Sequence, residues 1–302
     1  MTPFQERLCG NIPAVMTALD DHFLVDREAL RRITRRLLDN GCRGVVVVGT
    51  SGEFAQIDDD QREVAVRAVV EEVDGQVPVI VGCGQPNVRR THAQAKAAAD
   101  WGADGLLVNP PFYFPMTQDE VVGYFAELVD ASPLPVLLYN IPSMTKVTVA
   151  AATLPRLRDV GVEGTKDSSG SPANTLSYLA AIGSDADFRV IVGGDTCFLH
   201  LLDAGVCATT GLLSNVAPQL PVRIYDAWKS EDYQAGFAAQ RQANALFAAF
   251  FPLHEFLPAA GKGILSKLGL MQKWVAPPKS SMADSQLDDA FEAVREFLPE
   301  FE

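Results

Sequence analysis

Positive charge is scarce in this sequence. Lysine and arginine number 25 against 38 aspartates and glutamates, for a formal net charge of −13. Nucleic-acid affinity comes largely from cations that neutralise phosphates, so this balance argues against a nucleic-acid partner. It leaves an anionic small molecule open, because a few backbone amides and one lysine hold a carboxylate whatever the distant surface carries. Cysteine is also sparse: Cys9, Cys42, Cys83, Cys197 and Cys207 are odd in number, spread out and never spaced as CxxC. Neither a disulfide framework nor a zinc knuckle is suggested, and buried free thiols of a reducing compartment are expected. His22, His92, His200 and His254 lack ligand spacing and no carboxylate cluster accompanies them, so no metal is expected. No apolar run reaches the roughly 18 residues of a membrane span. Residues 1–7 have no basic stretch leading into an apolar one. The expectation is a cytoplasmic protein without membrane or nucleic-acid partner.

What is present is ordinary globular material, with 302 residues of which 48% are hydrophobic and 21% charged. Short β-type runs alternate with longer helical stretches, the pattern of an α/β protein with a parallel sheet. Strands are predicted at 12–17, 44–48, 78–81, 105–108, 135–139, 161–166, 189–192 and 206–210. Helical patterns lie between them, at 27–39, 61–73, 88–101 and 118–131 among others, several opened by capping Asp, Thr or Ser. Eight strands each followed by a helix predict a (β/α)8 TIM barrel. An open doubly wound sheet is the runner-up, but the G-x-G-x-x-G turn expected after its first strand is absent. After 215 the strand signals stop, and helices are expected at 231–250, 259–269 and 285–298. The predicted organisation is a barrel over 1–225 and a C-terminal helical extension over 226–302, packed on the barrel.

Barrel active sites lie at the C-terminal ends of the strands, which turns strand ends into a candidate list. Lys166 is its most informative member. Of eight lysines it alone ends a predicted strand; Lys96, Lys146, Lys229, Lys262, Lys267, Lys273 and Lys279 fall in helices or loops and read as solvated surface charges. A desolvated amine is driven toward its neutral, nucleophilic form. The bland alternative is an ion pair to Asp167 or Asp195. Tyr139, one strand earlier, places a phenol suited to proton shuttling beside the amine. Gly49-Thr50-Ser51-Gly52-Glu53 offers hydroxyls and backbone amides in a glycine-flanked turn that suits a carboxylate.

With these residues in place, the chain resembles the dihydrodipicolinate synthase and N-acetylneuraminate lyase superfamily of class I aldolases, over residues 10–300. The resemblance is carried by Gly49-Thr50-Ser51-Gly52-Glu53, Tyr139-Asn140-Ile141-Pro142, Gly164-Thr165-Lys166-Asp167-Ser168-Ser169, Gly193-Gly194-Asp195 and Asn215-Val216-Ala217-Pro218, in family order and spacing. It implies that Lys166 forms the Schiff base and Tyr139 relays protons beside it. Thr50 is then the hydroxyl that completes the relay, and Ser51 grips the substrate carboxylate. Tyr113 matches a tyrosine that reaches into the site of a neighbouring subunit and assists Tyr139 there in catalysis, while Gly194 and Thr210 line the substrate pocket. The resemblance further implies a homo-oligomer, a tetramer built as a dimer of dimers, and no cofactor beyond the covalent lysine adduct.

One departure bears on the substrate. Dihydrodipicolinate synthases usually carry, two residues after Tyr-Asn-x-Pro, an arginine that serves a distal carboxylate. This chain has Met144 there, which makes no charge-assisted hydrogen bond. Together with 111–115 and Thr209-Thr210-Gly211, that favours a lyase forming or cleaving a bond between pyruvate and an aldehyde, on a 2-keto-3-deoxy sugar acid or a 4-hydroxy-2-oxo acid. The alternatives are a 4-hydroxy-tetrahydrodipicolinate synthase, or a dehydratase or deaminase of 2-keto-3-deoxy acids. A rival outside catalysis is a silent barrel that only binds 2-oxo acids, which has no need of a nucleophile.

Overall fold

The computed structural model describes residues 1–183 and 187–301, and an eight-stranded parallel sheet forms its centre. The strands are β1 (Gly10–Asn11), β2 (Val45–Val47), β3 (Val79–Cys83), β4 (Gly105–Val108), β5 (Val136–Asn140), β6 (Gly164–Asp167), β7 (Arg189–Val192) and β8 (Ala208–Thr209). They pair in the order β1-β8-β7-β6-β5-β4-β3-β2, and at least one helix separates each strand from the next along the chain. Past β1, Ile12 N donates to Thr209 O at 2.9 Å, Val46 N to Pro13 O at 2.8 Å and Val15 N to Val46 O at 2.8 Å. Residues 12–15 thus bond to β8 on one side and to β2 on the other. The first strand, predicted at 12–17, forms its regular ladder at 10–11 instead, because Pro13 has no N–H to give and the chain crosses from β8 to a single bridge between Ala14 and Val46.

Side chains alternate across the sheet with the period of two that strands impose. Val46, Ile80, Leu107, Leu137, Tyr139, Ile191 and Ala208 meet in one apolar cluster with Phe4, Leu8 and Ile12. The intervening Val45, Val47, Val79, Val81, Leu106, Val108, Val136, Leu138 and Val190 join the larger cluster formed with the helices. Burial on both faces explains the continuous apolar runs of the strands, each such side chain stabilising the fold by about 1.5–3 kcal/mol. The short helix Pro3–Arg7 sits at the N-terminal end of the strands. A Cβ on Gly105, the first residue of β4, would fall 2.3 Å from the ring of Phe4. That end is filled by side chains, which leaves the opposite end for chemistry.

The C-terminal helices are Tyr233–Phe250, Leu257–Lys267 and Asp284–Val294. The first buries Ala239, Ala243, Leu246 and Phe250, at the spacing of one helix face. Helix Leu257–Lys267 is buried nearly all round, and a Cβ on its Gly261 would meet Met16 at 2.0 Å. Helix Gln219–Lys229 runs across residue 225, so no linker separates the sheet from the C-terminal helices. All five cysteines are free. Among the described residues, no helix is long and apolar enough to cross a membrane.

Candidate active site

Strands β5 and β6 run side by side with Tyr139 opposite Lys166 and Asn140 opposite Asp167. Alternation sends the two pairs to opposite faces. Asp167 points toward helix Pro172–Ile182 and its carboxylate accepts from Asn140 Nδ2 (2.9 Å), Ser169 N and Oγ (3.0 Å each), Asn174 Nδ2 (3.0 Å) and Thr175 Oγ1 (2.7 Å). It is fully committed there and is not the counter-ion of Lys166. No described carboxylate lies in ion-pair contact with that lysine.

Lys166 and Tyr139 are both buried, and the Lys166 Nζ lies 4.4 Å from the centroid of the Tyr139 ring. The Tyr139 hydroxyl is 3.3 Å from Thr50 Oγ1. An amine, a phenol and a hydroxyl from three strand ends therefore stand together, the amine against the face of the phenol ring and the hydroxyl at its OH. Asp195, on the loop after β7, is the acid whose field reaches the lysine. Burial pushes its carboxyl up to about 6, against the opposing pull of a 2.7 Å hydrogen bond from Thr209 Oγ1 and of the Lys166 charge. Gly211 makes room for it, since a Cβ there would lie 2.2 Å from Asp195 Oδ2.

The turn bearing Thr50 is set by its neighbours. Val48 has φ 53°, a left-handed conformation unusual for a β-branched residue, and it swings the chain out of β2. Gly82 permits this, because a Cβ there would sit 2.2 Å from Val48 O. The turn then closes through Glu53 N to Thr50 O and Phe54 N to Gly49 O, both 3.1 Å, and Thr17 Oγ1 donates to Gly52 O at 2.8 Å. Ser51 is buried beside Thr50 within it.

A cavity of about 350 Å³ is lined by Thr50 and Tyr139, while Lys166 and Ser51 are not among its lining residues. Thr50, Tyr139 and Asn109 are among its polar lining residues, Phe54, Phe112, Ile141 and Phe256 among its apolar ones, and Met144, Glu255 and Lys279 also line it. Lys279 is the one cation of that lining, and its Nζ lies 5.4 Å from the Phe256 ring centroid.

Of the residues singled out in the sequence, the structure gathers Lys166, Tyr139 and Thr50, with Ser51 adjoining. Tyr113 does not line the cavity of its own chain. It is 82% exposed, at φ 88°, with its ring edge-on to Phe114. Gly194 borders two smaller hollows of about 140 and 160 Å³, and Thr210 is buried with its N–H given to Val192 O at 2.8 Å. Lys262 overturns the reading of the remaining lysines as surface charges: it is wholly buried and paired with Glu53. Its place in Pro258-Ala259-Ala260-Gly261-Lys262-Gly263-Ile264-Leu265, apolar on every side, is the signal that shows it. Glu255, Phe256 and Lys279 were not foreseen as part of the site, because nothing local places the C-terminal segment over the strand ends. Among the described residues, no group of three or more His, Cys, Asp or Glu is arranged to hold a metal ion.

Comparison with known proteins shows the family of the chain. The model of the dihydrodipicolinate synthetase family matches residues 7–296. An uncharacterized DapA-like lyase of Halobacterium salinarum is 35% identical over 244 residues, covering 80% of this chain and 79% of that protein. A 4-hydroxy-tetrahydrodipicolinate synthase of Acidiphilium cryptum is 32% identical over 277 residues, covering 91% and 94%. Among solved structures, the Escherichia coli K12 prophage protein YagE, of the dihydrodipicolinic acid synthase family and in complex with pyruvate, superposes with a TM-score of 0.91 at 26% identity, covering 96% of this chain and 98% of that one. With the family model matching nearly the whole chain and relatives above 30% identity, this chain belongs to the dihydrodipicolinate synthetase family.

Proposed function

We propose that this chain, a pyruvate-dependent lyase of the class I aldolase type, works through a Schiff base between Lys166 and the C2 carbonyl of a 2-oxo acid. The observation that carries the reading is the grouping of Lys166, Tyr139 and Thr50 at the open end of the strands, with Lys166 Nζ against the Tyr139 ring and Tyr139 OH 3.3 Å from Thr50 Oγ1. The scaffold that holds them is read as a (β/α)8 barrel closed by the hydrogen bonds of residues 12–15 to β2 and β8. Its helical extension is read as 226–302.

Lys166 adds to C2, and loss of water from the carbinolamine gives an iminium that draws electrons from the C3–C4 bond. Tyr139, with Thr50 as its hydrogen-bond partner, gives its proton to the hydroxyl that leaves the carbinolamine as water, and the phenolate so formed takes the proton of the C4 hydroxyl. The C3–C4 bond breaks, an aldehyde departs, and the enamine left on Lys166 is protonated at C3 and hydrolysed to pyruvate. Run backwards, the same steps make the bond. Thr50 and Ser51 hold the substrate carboxylate in their turn. The covalent lysine supplies the electron sink and Tyr139 the proton transfers, and the reaction is read as needing no metal or other cofactor. Gly194 and Thr210 border the substrate from the side of β7 and β8. Tyr113 projects from its own chain, where it suits a contact to a second subunit of a homo-oligomer.

The substrate is read as a 2-keto-3-deoxy sugar acid or a 4-hydroxy-2-oxo acid, since Met144 lines the cavity where an arginine would grip a distal carboxylate. The second reading, a 4-hydroxy-tetrahydrodipicolinate synthase, is favoured by the names of the relatives and by Lys279, a cation on the same lining. A panel of 2-keto-3-deoxy sugar acids and 4-hydroxy-2-oxo acids, assayed for pyruvate release beside a condensation assay with aspartate semialdehyde, separates the two. Release is expected from at least one panel member, falling about a hundredfold or more in kcat for Tyr139→Phe. Robust condensation with the semialdehyde and no release would transfer the assignment to the second reading.

A further inference from the structure

Glu53 occupies a conformation that glycine adopts more cheaply. Its φ is 60°, yet its side chain is completely buried. Position 53 therefore uses the carboxylate itself. One oxygen meets the ammonium of Lys262, which is also completely buried, and the other accepts the backbone N–H of Ala276 at 2.5 Å. Lys262 Nζ in turn donates to Trp274 O at 2.8 Å. Burial holds the Lys262 ammonium below its ordinary range and Glu53 opposes that shift, as expected of charges kept together away from water.

The location of this pair is as informative as its burial. Glu53 ends the turn that carries Thr50 and Ser51, while Lys262 and 274–276 belong to the C-terminal part of the chain. Two matched apolar side chains would hold these segments together at least as firmly, since the desolvation of a buried ion pair offsets much of its attraction. What the charged pair adds is direction: one oxygen in ion-pair contact with a fixed ammonium and the other hydrogen-bonded to a fixed amide orient the turn, which packing alone would leave free to slide. Val48 and Glu53, both left-handed, bracket residues 49–52, and Arg62 fixes the far side by donating from Nη1 to Phe54 O at 2.9 Å.

We propose that Glu53 and Lys262 are positioning residues through which the C-terminal helices set the geometry of the Thr50-Ser51 turn. Neither touches substrate. The consequence for binding rests on the reading above, in which that turn holds the carboxylate of a 2-oxo acid. The helical extension would then be part of the machinery of the site, and not only a cover for the sheet.

The test uses the full chain with Glu53→Leu and Lys262→Met combined, a change that removes both charges and leaves none unpaired. Amide hydrogen exchange of 49–54 is followed, together with the pyruvate concentration that half-saturates borohydride trapping. The expected result is exchange of 49–54 faster by about tenfold or more, with Gly105–Val108 unchanged, and a half-saturating concentration raised by a similar factor. The adduct should still form on Lys166 at saturating pyruvate. A folded double variant that keeps both quantities within about twofold of the parent would overturn the proposal. Should the double variant not fold, Glu53→Gln retains an acceptor for Ala276 and carries both readouts with the same two outcomes. If 49–54 loosen while the parent protein gives no adduct with pyruvate, the Schiff-base reading fails and the positioning role stands.

Discussion

Asp195 illustrates what burial does to a single residue of this site. Its carboxyl is pushed up to about 6 from an ordinary value of 3.8, so the folded protein binds that proton more tightly than the unfolded chain does. The stability it supplies is complete below about 3.8 and is lost as pH rises through about 6. Asp195→Asn keeps an acceptor for Thr209 and removes the ionisation. Urea denaturation below and above this window should show the variant gaining on the parent protein as pH rises, by up to about 3 kcal/mol. A difference that does not change with pH would mean that Asp195 titrates alike in the folded and unfolded chain. The raised titration was not legible in the sequence, which offers Asp195 as a possible ion-pair partner of Lys166 and as part of Gly193-Gly194-Asp195. Tyr139 was legible as a polar residue after the apolar run Val136-Leu137-Leu138, and Lys166 as the one lysine of eight at the end of a predicted strand. Lys262 was read as a surface charge despite its apolar neighbours, and its partner Glu53 lies in a turn far away along the chain. Only the fold brings the two together.

At the scale of elements, the strands were readable wherever an apolar run is bounded by turns, and β4 and β7 fall at the predicted residues. The errors have local causes. β6 begins at Gly164 because Gly161, at φ 95°, still belongs to the turn that ends helix Leu154–Asp159. β1 is displaced because Pro13 interrupts its ladder. The close approach of Val48, just past β2, to Gly82 of β3 yields a test. A Cβ on Gly82 would stand 2.2 Å from Val48 O, a backbone atom that cannot turn aside. Gly82→Ala should therefore lower stability by about 1–3 kcal/mol or more in urea titration and move the Thr50 turn with it. A variant as stable as the parent protein would show that Val48 can leave its left-handed conformation at little cost.

At the scale of the whole molecule, two apolar side chains, Tyr113 at 82% exposure and Phe114 at 74%, project from the loop after β4 next to the mouth of the site. An oligomer would cover them and bring Tyr113 to a second subunit, so light scattering should give a multiple of 32.6 kDa, reduced by Tyr113→Glu. A parent protein at 32.6 kDa would remove Tyr113 from the site. The C-terminal helices bear on the same mouth from the other side, through Phe256 and Lys279. All of these elements converge on one amine, that of Lys166, whose reactivity is the core of the proposed function. Borohydride reduction in the presence of pyruvate, read by peptide mass spectrometry, tests it without any assumption about the rest of the substrate. One added reduced pyruvate is expected, on the peptide containing Lys166 and absent from Lys166→Met. No adduct, or an adduct on another lysine, would refute the Schiff base at Lys166.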